Sequence, residues 1–423
     1  MKNVSSVLKT NTCTGCGCCS AICPQHCLST SLDIEKGYYT TQLAEGCTDC
    51  GLCQKVCPIY TWNNQKGNPY VGSYLNVFSG YSTDNEHRKS SASGGITTAI
   101  LTYMLKEQII EAAVVAFRKK DDPLKAEMKI VTSYEDIYTS KGSVYAPTSY
   151  FSIIEEIAKS PYSKLAIVGL PCHIEGMSNL MRLHRQIKDK TILKIALVCG
   201  HTPSIKGYEY SFKRLGIKKN EVTSITNRGE GWPGYLKITS RNSNIKIQYG
   251  NKYSWGMVLA SPIYTPTGCL HCVDATGYQA DISICDAWLE KFRDDKTGRN
   301  LLLVRSMKMM SVIKGMIKEN LICISEETIA DFIKANGQVF KEKLIVNGFR
   351  NKKILTSKRN RMYNRVTFLK SDSLLASFFV RWALINENIY MRFKQCIPLN
   401  NHTLFIFKLF KYLSLKWITL KKF

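Results

Sequence analysis

Twelve of the 17 cysteines in this 423-residue sequence have a spacing or setting suited to metal binding. Eight form two matching blocks, Cys13-x2-Cys16-x2-Cys19-x3-Cys23-Pro24 and Cys47-x2-Cys50-x2-Cys53-x3-Cys57-Pro58. This spacing holds two [4Fe-4S] clusters, each taking three thiolates from one block and the fourth from the other. Cys13, Cys16, Cys19 and Cys57 are thus expected to hold one cluster, and Cys47, Cys50, Cys53 and Cys23 the other. The proline after each fourth cysteine turns the chain. Zinc needs only four ligands in two pairs and gives no reason for two matching blocks. Cys18 and Cys27 fall outside the pattern as spare thiols.

The other four are Cys172, Cys199 and the Cys269-x2-Cys272 pair. They fit a third [4Fe-4S] cluster, a zinc site with four thiolates, or buried thiols with no metal. His173 and His201 each follow one of these cysteines, as structural residues or as lining of a redox site. Ser91-Ala92-Ser93-Gly94-Gly95 opens a helical pattern in which Ile96, Ala99, Ile100, Tyr103 and Met104 share a face. Such a start is either a plain serine cap or a phosphate cradle. Asp286 ends an apolar run, where its carboxylate either bonds a ribityl or ribose hydroxyl or turns the chain.

These residues need elements to position them. LNVFSGYST, EAAVVAF (111–117), KLAIVGL (164–170), ILKIALVCG (192–200) and ADISICDAWL read as strands, and helical patterns fall between them. The alternation predicts an α/β domain with a largely parallel sheet, which binds ligands beyond the carboxyl ends of its strands. Three regions are expected. Residues 1–66 form an α+β two-cluster, ferredoxin-like domain, 67–300 the α/β domain, and 301–423 a basic, mainly helical region. Residues 341–423 carry 18 Lys and Arg against 3 Asp and Glu, more than half of the net charge of +25. In the final stretch Lys408, Lys411, Lys416 and Lys422 share one helical sector. That pattern fits either an anionic membrane surface or a helix docked on the protein itself. No recognition motif accompanies the charge, so nucleic acid is not an expected partner. The start MKNVSSVLKT lacks the apolar core of a signal peptide, and no apolar run is long enough to span a membrane. A cytoplasmic protein is expected, with peripheral contact at the inner membrane face through the tail.

SASGGITTAIL, KGSVYAP (141–147), VGLPCHIEGM (168–177), LVCGHTPS (197–204), GNKYSWG (250–256), CLHC (269–272) and ADISICDAW (280–288) occur in that order. With the N-terminal cysteine blocks, the chain over residues 10 to 300 resembles the family of coenzyme F420 hydrogenase/dehydrogenase beta subunits. The resemblance implies an iron–sulfur flavoprotein oxidoreductase that passes electrons between clusters, FAD and a two-electron substrate. That substrate is a deazaflavin coenzyme or another small molecule, and a redox protein partner is implied. Ser93, Gly94 and Gly95 would line the FAD phosphates, and Lys141, Gly142 and Ser143 would meet the flavin. Cys172, Cys199, Cys269 and Cys272 would hold a flavin-proximal cluster. Two positions depart from the family pattern: Cys285 replaces a glycine, and Val144 replaces a lysine. Two other readings stand beside this one, a redox protein recruited to surface-polysaccharide biosynthesis and a non-catalytic electron-transfer module that docks a partner.

Overall fold

The structure is a computed structural model that describes residues 2–62, 66–249, 255–348 and 350–351. Among them are thirteen strands: β1 (Leu28–Asp33), β2 (Tyr38–Leu43), β3 (Asn76–Ser82), β4 (Ala112–Arg118), β5 (Ala126–Val131), β6 (Leu165–Gly169), β7 (Thr191–Leu197), β8 (Val222–Asn227), β9 (Tyr235–Ser240), β10 (Asn244–Gln248), β11 (Ile282–Asp286), β12 (Asn300–Val304) and β13 (Ile322–Glu326). The five expected strand runs correspond to β3, β4, β6, β7 and β11.

Eight strands form the main sheet, in the order β13-β3-β12-β11-β7-β6-β4-β5. Its centre is parallel, through the pairs β4–β6, β6–β7 and β7–β11. The other four neighbouring pairs are antiparallel, so the sheet is mixed rather than largely parallel. The cause is local. The connections after β4 and β11 hold no α-helix to cross over, so each returns its chain antiparallel. Every residue of β6 and of β12 is buried, as expected for strands covered on both faces. Each large aliphatic side chain buried there contributes about 1.5–3 kcal/mol.

The boundary expected at 300 falls at the first residue of β12, and the sheet runs on through β13 to Glu326. The segment from 305 onward is therefore not helical throughout. Ile322 and Ile324 are β-branched, and their segment pairs along β3 as the edge strand of the sheet. Helices Met307–Lys318 and Ile329–Ala335 flank β13, and a wide π-type turn spans Lys341–Val346. The amphipathic stretch expected near the end lies outside the described residues. Among the described residues no helix is long and apolar enough to cross a membrane.

The N-terminal cysteines lie around the antiparallel hairpin β1–β2 and two short helices, Cys18–Ala21 and Leu52–Val56. This unit packs against the helix Pro171–Met181, and Cys18, Val56 and Ile59 share one core with Ile174 and Met177. The approach is close. A Cβ on Gly176 would lie 2.8 Å from the Cys18 sulfur and 3.4 Å from that of Cys16. The smaller sheet β10-β9-β8 packs with helix Ile205–Leu215 around Tyr208, Phe212 and Trp255.

Candidate functional site

The parallel strands β6, β7 and β11 all end at the same sheet edge, and that edge assembles the site. Pro171 opens the helix after β6 at a position where no backbone N–H is needed, so Cys172 sits in the first turn. Cys199 lies two residues beyond β7, and its N–H donates to the carbonyl oxygen of Ala275. Cys285 and Asp286 close β11.

Cys172, Cys199, Cys269 and Cys272 line one small cavity of about 40 Å³, together with His173, Asp274 and Lys343. Burial pushes the Cys199 thiol up to about 12, and burial also raises Cys172 and Cys272. Bare thiols there would stay protonated, whereas a bound metal draws the proton off. Among the described residues no three His, Cys, Asp or Glu side chains close on a point as they would around a single metal ion. The four thiols surround a space instead.

The N-terminal thiols fall into two further groups. Cys57, from the second block, interacts with Cys19, Cys16 and Cys13 of the first, across the expected division. Cys53 lies near Cys50 and Cys47. Cys23 is 3.4 Å from Cys27, which also contacts Cys47. Cys27, read as a spare thiol, is thus part of the second group. Cys18 hydrogen-bonds to Cys16 and is within electrostatic reach of Cys172. Cys50 is exposed, while Cys16, Cys19 and Cys57 are buried.

A second cavity, of about 770 Å³, lies against the first, and Cys199 and His173 border both. His173 is buried and stacks on Tyr150 with ring centroids 4.7 Å apart, and burial lowers its pKa to about 4. Ser93, Gly95, Lys141, Gly142, Ser143 and Asp286 all line the larger cavity. Gly94 does not. A Cβ there would lie 2.6 Å from the Gly80 carbonyl oxygen and 2.8 Å from the Asn300 nitrogen, so it serves packing against β3 and β12.

The serine cap does not form. The Ser93 hydroxyl donates to the Arg299 carbonyl oxygen (2.7 Å), and Gly95, with φ of 76°, caps helix Ile96–Lys106 without a side-chain bond. The helix's first turn, Ile96 to Thr98, borders the cavity. The Lys141 ammonium sits 3.2 Å from the centre of the Tyr138 ring. Asp286 does not turn the chain, because it pairs with Asn300 as the last residue of β11. Both departures from the family pattern, Val144 and Cys285, lie on the cavity wall. Burial pushes the Cys285 thiol up to about 12, and Asn336 donates a 3.3 Å hydrogen bond to its sulfur.

Several site residues escaped the sequence reading. Arg228 bonds Asp286 at 2.9 Å, donates to the Ala92 carbonyl oxygen (2.7 Å) and lies over Tyr249. Its buried Nε finds no hydrogen-bond partner among the described residues. Lys343 lies buried beside the small cavity. Asn347 Nδ2 donates to the carbonyl oxygens of Cys269 (3.1 Å) and Cys272 (2.8 Å), and Asn351 Nδ2 to that of His271 (2.9 Å). The segment after the π-type turn therefore holds the Cys269–Cys272 loop.

A mixed α/β sheet that gathers four thiols beside a large cavity at its carboxyl edge defines a two-compartment architecture. Among coenzyme F420 hydrogenase/dehydrogenase beta subunits, the model of the N-terminal region matches residues 77–155 and that of the C-terminal region matches 162–329. The chain belongs to this family. It is 26% identical over 242 residues to the beta subunit of coenzyme F420 hydrogenase of Methanosarcina barkeri, covering 55% of this chain and 79% of that protein. Against the corresponding protein of Methanothermobacter thermautotrophicus it is 26% identical over 219 residues, 50% of this chain and 73% of the other. A chain of the F420-reducing [NiFe] hydrogenase complex from Methanosarcina barkeri superposes with a TM-score of 0.55. That match covers 70% of this chain and 97% of the other at 19% identity, and it supports the fold. By family the protein is an electron-transfer component of hydrogenase/dehydrogenase type.

Proposed function

We propose that this chain is an iron–sulfur flavoprotein that carries single electrons through three [4Fe-4S] clusters and exchanges electron pairs with a small molecule at FAD. The observation that carries the reading is the wall shared by the four-thiol cavity and the 770 Å³ cavity, through Cys199 and His173. A volume of this size suits a cofactor. The first turn of helix Ile96–Lys106 offers backbone N–H groups to a phosphate, and the orphaned Arg228 Nε is a donor in need of an acceptor. A flavin held there would take electrons in pairs from one side and pass them singly on the other.

The chain's own residues give the relay an order. The exposed Cys50 marks the second N-terminal group as the entry or exit for a redox protein partner. Cys13, Cys16, Cys19 and Cys57 come next, packed against the helix that carries Cys172. Coenzyme F420, named in the relatives, leads as the small-molecule substrate. Nothing in those names or in the fold favours the polysaccharide reading. Contact of the basic tail with anionic lipid, and with it a place at the inner membrane face, remains part of the proposal. Deleting residues 401–423 should abolish binding to anionic vesicles, and unchanged binding would remove the idea.

The deciding experiment is cofactor stoichiometry on protein purified without oxygen. About twelve irons per chain, as three four-iron clusters, with one FAD would support the reading. About eight irons without flavin would leave only the N-terminal thiols as cluster ligands and favour the non-catalytic module.

A further inference from the structure

Lys343 has no role in the relay described so far, yet it occupies its centre. It lies on the π-type turn Lys341–Val346, beyond the family match that ends at 329. Only 2% of its surface is exposed. Its side chain lines the same small cavity as Cys172, Cys199, Cys269 and Cys272. A buried ammonium costs several kcal/mol unless an anion neutralises it. Thiolates holding a cluster at Cys172, Cys199, Cys269 and Cys272 would supply that anion. Asp274 borders the cavity too, but its carboxylate accepts from the N–H groups of Thr276, Gly277 and Tyr278.

We propose that Lys343 is a positioning residue whose fixed positive charge raises the reduction potential of the cluster held by Cys172, Cys199, Cys269 and Cys272. The inference rests on the three-cluster reading above. Four thiolates give a four-iron cluster net negative charge, and reduction adds one more. A cation held against the sulfurs stabilises the reduced form more than the oxidised one, and cluster potential follows net charge and hydrogen bonds to sulfur. Electrons arriving from the N-terminal clusters are thereby drawn to the position beside the large cavity. The charge comes from a segment that Asn347 and Asn351 fasten to the Cys269–Cys272 loop, so its distance to the sulfurs is fixed by the same contacts that shape the site.

The test compares the full-length protein with Lys343→Met and Lys343→Arg, all purified anaerobically. The readouts are iron content, circular dichroism and redox titration followed by electron paramagnetic resonance. Lys343→Met should lower the midpoint of one cluster and leave the other two in place, or lose about four irons with the fold intact. Lys343→Arg, which keeps the charge, should stay near the unsubstituted protein in both respects. Where Lys343→Met does not fold, Lys343→Gln is read against the same expectations. Unchanged iron and unchanged midpoints in the neutral variant would overturn the proposal, as would an arginine variant that shifts as far as the methionine one. About eight irons in the unsubstituted protein would instead sink the cluster reading itself, a different failure.

Discussion

Arg228 and Asp286 show how single residues set the wall of the large cavity. The arginine side chain is 2% exposed and the aspartate side chain 19%, with 2.9 Å between them. Removing one charge from such a pair leaves the other buried and unpaired, at a cost on the order of 3 kcal/mol. Asp286→Asn should therefore lower the thermal unfolding midpoint clearly, and the double change Arg228→Met with Asp286→Leu should recover most of the loss. An Asp286→Asn protein that melts like the original would show that the pair is not needed. Gly95 offers a second check. An alanine there would hold φ near +76° and place its Cβ 2.8 Å from the His87 ring, costing about 1–3 kcal/mol of strain at the helix start. Flavin released per chain after gel filtration should fall in Gly95→Ala. The two N-terminal cysteine blocks stood out in the sequence because their spacing is local. Arg228 was not, because its partner lies 58 positions away and nothing near it in the chain marks a site.

At the scale of elements, the sequence disclosed β3, β4, β6, β7 and β11 of the main sheet but not β5, β12 and β13. It did not disclose their direction. Alternating strand and helix patterns read as largely parallel, and only pairing revealed that β12, β13 and β5 run against the central strands. The C-terminal segment was read as basic and mainly helical, yet its last described residues act through side-chain amides. Asn347 satisfies two carbonyl groups of the Cys269–Cys272 loop, at a net worth of about 1 kcal/mol per hydrogen bond. Asn347→Ala should loosen that loop more than it destabilises the sheet. Iron should become partly extractable by a chelator under conditions where the unsubstituted protein keeps its full content. Equal retention in both proteins would mean the loop holds its shape without the arm.

Across the whole molecule, function depends on the order in which the compartments touch. The N-terminal thiols meet the sheet at helix Pro171–Met181, where Gly176 admits Cys18 and Cys16, and the same helix carries Cys172 at its start. Past Cys172 the four-thiol cavity opens against the larger one. The arrangement is serial, so breaking the middle should isolate the ends without removing them. Cys172→Ala should cost about four irons and keep the N-terminal clusters and the flavin. Electrons supplied to the N-terminal clusters by a partner protein should then fail to reach the flavin, while a small-molecule reductant in the large cavity still reduces the flavin directly. Stopped-flow absorbance separates the two, since flavin bleaching has a shape distinct from the broad cluster absorption. Fast partner-driven flavin bleaching in Cys172→Ala would mean that electrons bypass the four-thiol cavity. The N-terminal unit would then have to reach the large cavity by another face, and the wall shared through Cys199 and His173 would no longer explain why the two compartments adjoin.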